Sequence, residues 1–360
     1  MLSVLIFVGS LLNPSAHACA ALVTTDGGAV PTSAAQQVIF EQTATGSAVE
    51  YANSYSGTAD DFGWIIVVPA PFVSMSDGDI ARFEMLTELS QPRIELQSFG
   101  GEADESGGCG CGAAKSSDLA KGGAFDSGDN DFEVVAEGFT GTYAYTVVES
   151  DDADGLLTWL DDNDWDLGAN DAAITEYVEE GGYAFVLVSI APDLPLATGE
   201  SGMLPPVRIE TSSNELRFPA RMARDAAPTS QSTRIFVLGD QQAELSGGWS
   251  ATELAQIDAD GASPEDAFEQ AVWEATGGSP TYARVFSGET TEGWLTRFET
   301  RAEREAHRTD VEIELTGGRT PSETTVLSRS QSATGTTGAF GAGLVGFLLP
   351  LLWVLRARHH

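Results

Sequence analysis

Histidine is the scarcest reactive side chain in this sequence, with His17 near the start, His359 and His360 at the end, and His307 alone between them. Imidazole is the usual proton carrier near neutral pH, so a Ser-His-Asp or Cys-His hydrolase in the central chain would have to be built on His307. No Gly-x-Ser-x-Gly elbow accompanies it. The same scarcity excludes a multi-histidine metal site. Standing among Arg304, Glu305 and Arg308, His307 reads as a solvated surface residue.

Cysteine offers little more. Cys19, Cys109 and Cys111 are the whole inventory, an odd number, so one thiol is free, acylated or paired between chains. Cys109 and Cys111 lie in an acidic, Gly- and Ser-rich stretch, where neighbouring carboxylates raise a thiol pKa and disfavour redox chemistry. In an oxidising compartment a disulfide from Cys109 or Cys111 to Cys19 competes with a local bond between Cys109 and Cys111. Cys19 is also a candidate for lipid attachment.

Carboxylates are abundant: 54 Asp and Glu against 18 Lys and Arg give a formal charge of −36. That polyanionic balance excludes a generic nucleic-acid binder. It leaves a glycosidase-like carboxylate pair open, because abundance says nothing of geometry. Ser150, Asp152, Asp154, Gly155 and Asp161 imitate part of a calcium loop, as do Asp258, Asp260 and Gly261, yet neither run supplies the final bidentate Glu. Acidic helix N-termini explain them better, so the expectation is no cofactor, with calcium the weak candidate. Arg297, Arg301, Arg304 and Arg308 recur at spacings of four, three and four, and a helix there would set them on one face, laced by Glu299, Glu303 and Glu305.

Both ends carry address-like patterns. Residues 2–12 are a short apolar run, and Ala16-His17-Ala18 places small residues before Cys19, predicting a signal peptide over 1–18 cut between Ala18 and Cys19. Residues 338–355 are uncharged and apolar, about 27 Å long as a helix, enough to span a bilayer. Arg356 and Arg358 follow, which places the tail 356–360 on the cytoplasmic side. Residues 316–337, rich in Ser, Thr and Gly, are expected to be a linker. The main domain would then be 19–315, extracytoplasmic, interrupted by a flexible acidic Gly-rich loop at 98–131.

Within that domain, strands are expected over 37–41, 49–55, 62–69, 183–190, 207–210, 215–221 and 234–238. Phe62 to Pro69 is apolar without alternation, as a strand buried on both faces should be. A hairpin is expected from 132–139 and 143–148. Helices are expected over 79–89, around 156–160 and 174–178 as an αα pair, and over 265–275 behind Ser263-Pro264. The fold class is α+β: a mixed or largely antiparallel sheet with several short helices, plus one C-terminal transmembrane helix.

Several stretches carry a resemblance: Asp61-Phe62-Gly63-Trp64-Ile65-Ile66-Val67-Val68-Pro69-Ala70 with Phe83 to Leu89, Leu156 to Leu160 through Tyr177 to Val186, Leu204-Pro205-Pro206-Val207-Arg208-Ile209, and Leu295-Thr296-Arg297-Phe298. In order and content they resemble the bacterial domain of unknown function 2330 family. The resemblance implies an exported protein whose mature chain starts near a Cys and which often has a terminal membrane anchor; it brings no catalytic residues. The expansion at 98–131 and the single early Cys depart from the family pattern. The reading is therefore a single-pass cell-membrane protein with its domain in the periplasm or at the cell surface. Its role is a non-catalytic binding or envelope-structural module, with an envelope protein or glycan as partner. A carboxylate-pair hydrolase is the alternative.

Overall fold

The computed structural model describes residues 21–24, 35–56, 62–97, 132–168, 170–190, 201–224 and 230–329. The expected signal with Ala18 and Cys19, the 98–131 loop with Cys109 and Cys111, the helix at 338–355 and the tail 356–360 lie outside these residues. Among the described residues no helix is long and apolar enough to cross a membrane.

Two large sheets dominate. The smaller joins five strands by antiparallel pairs in the order β1 (Ala21–Thr24), β4 (Phe62–Pro69), β9 (Tyr183–Ile190), β8 (Tyr143–Ser150) and β7 (Phe132–Phe139). The larger runs β15 (Ser250–Glu253), β17 (Thr281–Thr290), β18 (Gly293–Glu303), β13 (Ser230–Gly239), β2 (Ala35–Gln42), β3 (Ser47–Ser56), β11 (Val207–Thr211) and β5 (Phe72–Asp77). β10 (Ser201–Met203) adds to β3, and β20 (Ser322–Glu323) to β17. This sheet is mixed, because β13 pairs β2 and β15 pairs β17 in parallel.

Two three-stranded sheets complete the β structure. One is antiparallel, β12 (Leu216–Phe218), β19 (Val311–Leu315) and β14 (Ala243–Ser246); the other is parallel, β16 (Gln256–Asp258), β21 (Thr325–Arg329) and β6 (Arg93–Gln97). Helices α1 (Ile80–Leu89), α2 (Ala153–Asp162), α3 (Asp171–Glu180) and α4 (Pro264–Thr276) cover the large sheets.

Alternation along the strands sets the layers. On β4 and β9, Trp64, Ile66, Val68, Ala184, Val186 and Val188 meet Val38, Phe40, Ile235, Val237 and Phe298 of the larger sheet. Their neighbours Ile65, Val67, Phe185 and Leu187 face the other way, onto Leu156 and Leu160 of α2 and Ile174, Tyr177 and Val178 of α3. The unbroken apolar run of β4 is thus buried on both faces, each fully buried Val or Ile contributing about 1.5–3 kcal/mol. On the outer face of the larger sheet, Ile39, Phe236 and Leu295 lie under Phe83 and Leu86 of α1, while Ala283 and Val285 lie under Val272 and Phe268 of α4. The result is an α+β stack of helices, mixed sheet, antiparallel sheet and helices.

Local signals start the outer helices. Asp79 accepts from Ala81 N at 2.9 Å to cap α1. Ser263 Oγ accepts from Asp266 N at 3.0 Å, and Pro264 fills the first turn of α4.

Two expectations change. The arginine-bearing segment is a strand and not a helix: residues 293–303 form β18, which pairs with β13 over ten positions, and Arg304–Ala306 make a 3-10 turn. Trp294, Thr296, Phe298 and Thr300 fit the pleat better than a helix, so sheet pairing prevails over the 4-3-4 arginine spacing. Part of the stretch expected as a linker is folded, for residues 322–323 and 325–329 are strands, and Val326 is buried against Ile257, Ala259 and Ala267.

Candidate functional site

A row of polar side chains crosses three strands of the larger sheet on its outer face. Gln37 of β2 stands opposite Arg234 of β13, and Arg234 opposite Glu299 of β18. Arg297 and Arg301 flank Glu299 at the same pleat parity. Helices α1 and α4 pack on this face to either side, and the row lies in the cleft between them.

The carboxylate at the centre is held by two guanidinium groups. Glu299 Oε1 accepts from Arg234 Nε at 2.7 Å and from Arg297 Nε at 2.9 Å, and Arg297 Nη2 closes on the same oxygen. Burial alone would raise the Glu299 pKa, but the charges of Arg297 and Arg234 and their hydrogen bonds prevail and hold it below the usual range. Arg297, 3 % exposed at its side chain, also donates from Nη1 to the Ser90 carbonyl at 2.9 Å. Arg234 Nη1 reaches Gln37 Oε1 at 3.5 Å and Thr87 Oγ1 at 3.4 Å. At the rim, the Arg301 guanidinium lies over the Trp273 ring of α4, 5.3 Å from its centroid.

Cavities open on both sides of this row. One of about 220 Å³ is lined by Gln37, Arg234, Glu269, Val272, Glu299 and Arg301. A second, of about 410 Å³, shares Arg234, Glu269 and Glu299 and extends past Arg297 to Thr87, Phe268 and Val326. Arg301, Glu269 and Trp273 border a third, of about 390 Å³. Mixed donors and acceptors around a half-open trough suit ligand binding.

Other charge clusters serve the fold. Farther along the same face, Arg82 of α1 and Arg208 of β11 both pair with Glu41 and Glu50, and Arg82 also meets Glu292. Burial opposes ionisation of Glu41, but Arg208 and Arg82 outweigh it and lower its pKa. At the opposite helical layer, buried Asp310 accepts from Tyr177 and Arg221, and Arg221 also pairs with Glu180. One carboxyl, Glu149 of β8, is pushed up by burial and by Glu133, its cross-strand neighbour on β7, with Asp151 adding to the rise and a Phe72 backbone hydrogen bond opposing it. Neither Glu149 nor Glu133 lines the cavities above.

His307 is not on the surface. It is 1 % exposed and packed on Trp249 with ring centroids 5.7 Å apart. The 3-10 turn after β18 turns exposed Glu305 and Arg308 outward and drops the intervening imidazole inward. Burial pulls its pKa down to about 4, with the nearby backbone of Arg304 and Glu303 tempering the shift. The four arginines likewise separate: Arg297 is buried, Arg301 stacks on Trp273, and Arg304 and Arg308 belong to the turn.

The calcium-like runs are built as helix starts and turns. Asp152 takes the N-cap position of α2, its N–H donating to Ser150 Oγ at 3.0 Å, and Asp154 lies in the first turn. Asp161, seven residues beyond Asp154 on the helix, is carried about 10 Å away. Asp258 Oδ1 accepts from Asp260 N at 3.1 Å in a tight turn. Among the described residues no group of three or more His, Cys, Asp or Glu is placed to hold a metal ion.

Sequence reasoning passed over Arg234, Gln37 and Trp273. The readable signal was the period-two run Arg297, Glu299, Arg301, which as a strand puts three charges on one face.

A sequence profile described as "Uncharacterized protein conserved in bacteria (DUF2330)" matches residues 13–313. No curated protein sequence matches the chain. Among solved structures, the crystal structure of baculovirus P35 aligns at 9% identity over 82% of this chain and 97% of that chain. Its TM-score of 0.29 is too low to carry any argument.

Proposed function

The chain belongs to the DUF2330 family of bacterial proteins, and from that premise we propose that it is an exported, membrane-anchored binding module whose ligand lies in the cleft between α1 and α4. The apolar run at 2–12 and the span at 338–355, followed by arginines, support export and anchoring. The observation that carries the binding role is Glu299, kept ionised by Arg234 and Arg297 where the cavities meet. A carboxylate so held is a fixed acceptor and a poor general acid at neutral pH.

The alternative, a hydrolase using a carboxylate pair, finds support in Glu149 and Glu133. They face each other across β7 and β8, and the raised pKa of Glu149 is what a general acid requires. Their place outside the cavities favours binding as the first reading.

Fractionation tests the addresses: cells producing the full chain should yield it in the membrane, with residues 19–336 digested by protease added to spheroplasts. Recovery of the uncut chain from the soluble cytosol would end the proposal of export and anchoring. A hydrolytic activity of the pure protein that Glu149→Gln abolishes would transfer the assignment to the second reading.

A further inference from the structure

We infer that the cleft between α1 and α4 is built to grip an oxyanion, the carboxylate or phosphate group of a small ligand, between Arg301 and Arg234; this deepens the binding reading above and rests on it. Acids outnumber bases 54 to 18 in the chain, and elsewhere Arg82, Arg208, Arg217, Arg221, Arg224 and Arg284 are each answered by at least one carboxylate. Arg301 is exposed and makes no ion pair among the described residues, although Asp266 and Glu269 border the same cavity. The Trp273 ring instead meets its guanidinium in a cation–π contact at 5.3 Å, which uses none of its N–H donors and leaves them open to a planar or tetrahedral oxyanion.

Arg234 supplies the second arm. Its Nε is taken by Glu299 and its Nη1 by Gln37 and Thr87, while Nη2 makes no hydrogen bond among the described residues. Ser232 stands opposite Arg301 and Arg234 opposite Glu299, so the two arginines are diagonal cross-strand neighbours, about 7–8 Å apart in backbone position and within reach of one ligand group. Both line the cavity of about 220 Å³. Arg297 neutralises Glu299 from behind, so in the lining of this cavity Arg234 and Arg301 face Glu269 as the one remaining carboxylate, while Glu265 and Asp266 border the adjoining cavities. Glu269 at the rim offers an acceptor for a ligand hydroxyl.

The test is isothermal calorimetry of the full-length protein in detergent at low ionic strength, with inorganic phosphate, succinate and uncharged glucose as separate probes. Saturable heat with phosphate or succinate is expected, weakened about tenfold or more by Arg301→Gln, less by Arg301→Lys, and unchanged by Arg308→Gln. Preference for succinate identifies a carboxylate ligand and preference for phosphate a phosphate ester. Anion binding that survives Arg301→Gln overturns the assignment. Saturable glucose binding that Glu269→Gln weakens, with both anions silent, overturns the oxyanion and leaves the binding cleft standing. Silence from all three probes overturns both.

Discussion

Tyr177 donates its hydroxyl to Asp310 Oδ1 at 2.7 Å, joining α3 to the residue before β19 across 133 positions of sequence. Arg221 completes the joint, donating to Asp310 Oδ2 from Nη2 at 2.9 Å and laying its guanidinium 4.1 Å from the centre of the Tyr177 ring. Removing the acid leaves a largely buried guanidinium with only the more exposed Glu176 and Glu180. Asp310→Ala is therefore expected to cost about 3–5 kcal/mol, and Tyr177→Phe, which leaves the ion pair intact, about 1–2 kcal/mol. Urea denaturation of both variants checks the order; equal losses would contradict it.

The buried imidazole makes stability depend on pH. His307 titrates near 4 in the fold against an ordinary 6.5, so between those values the unfolded chain binds a proton that the folded chain refuses. Stability from this residue is complete above about 6.5 and falls as pH drops toward 4, by roughly 3 kcal/mol in all. His307→Phe should flatten the difference in unfolding free energy between pH 7 and pH 4.5 relative to the unaltered protein. Parallel pH profiles for the two proteins would refute the assignment.

Glu299 and Arg297 should prove tightly coupled. Glu299→Ala leaves Arg297 buried with only Ser90 as partner, and about 3–5 kcal/mol of stability is expected to go with it. The paired change Glu299→Leu with Arg297→Met removes both charges and should recover most of that loss. A double-mutant cycle by thermal unfolding measures the coupling; strict additivity would show that the pair does not act as one unit.

Ser263 governs the start of α4. Its hydroxyl accepts from Asp266 N and donates to Asp266 Oδ2, and Ser263→Ala is expected to cost about 1 kcal/mol, while Ser263→Thr, which keeps the hydroxyl, should be nearly neutral. Melting temperatures of the two variants distinguish a lost cap from a lost surface contact.

Much of the inner fold was legible because its signals are local. The uninterrupted apolar run at 62–69 announced a strand covered on both sides, and Ser263-Pro264 announced α4. The larger sheet was harder to read, because its inner face is partly polar: Asn53, Gln36, Thr233 and Thr300 stand abreast on β3, β2, β13 and β18, none more than 2 % exposed. With buried threonines on one side and Arg297 on the other, β18 shows no apolar alternation, and the arginine spacing imitates a helix. Arg234 meets Glu299 only through pairing across 65 residues of sequence, which no local pattern announces. His307 misled for a related reason, since its charged neighbours describe the turn's outside and say nothing of the residue it tucks in.

The parallel sheet of β16, β21 and β6 has a mechanical consequence. Arg329 is the register partner of Gln97, and β21 lies between the other two strands. Tension applied to the chain beyond Arg329 therefore runs along the middle strand of three. The hydrogen bonds on its two sides are loaded together in shear, so two ladders must yield where an edge strand pulled the same way would have one.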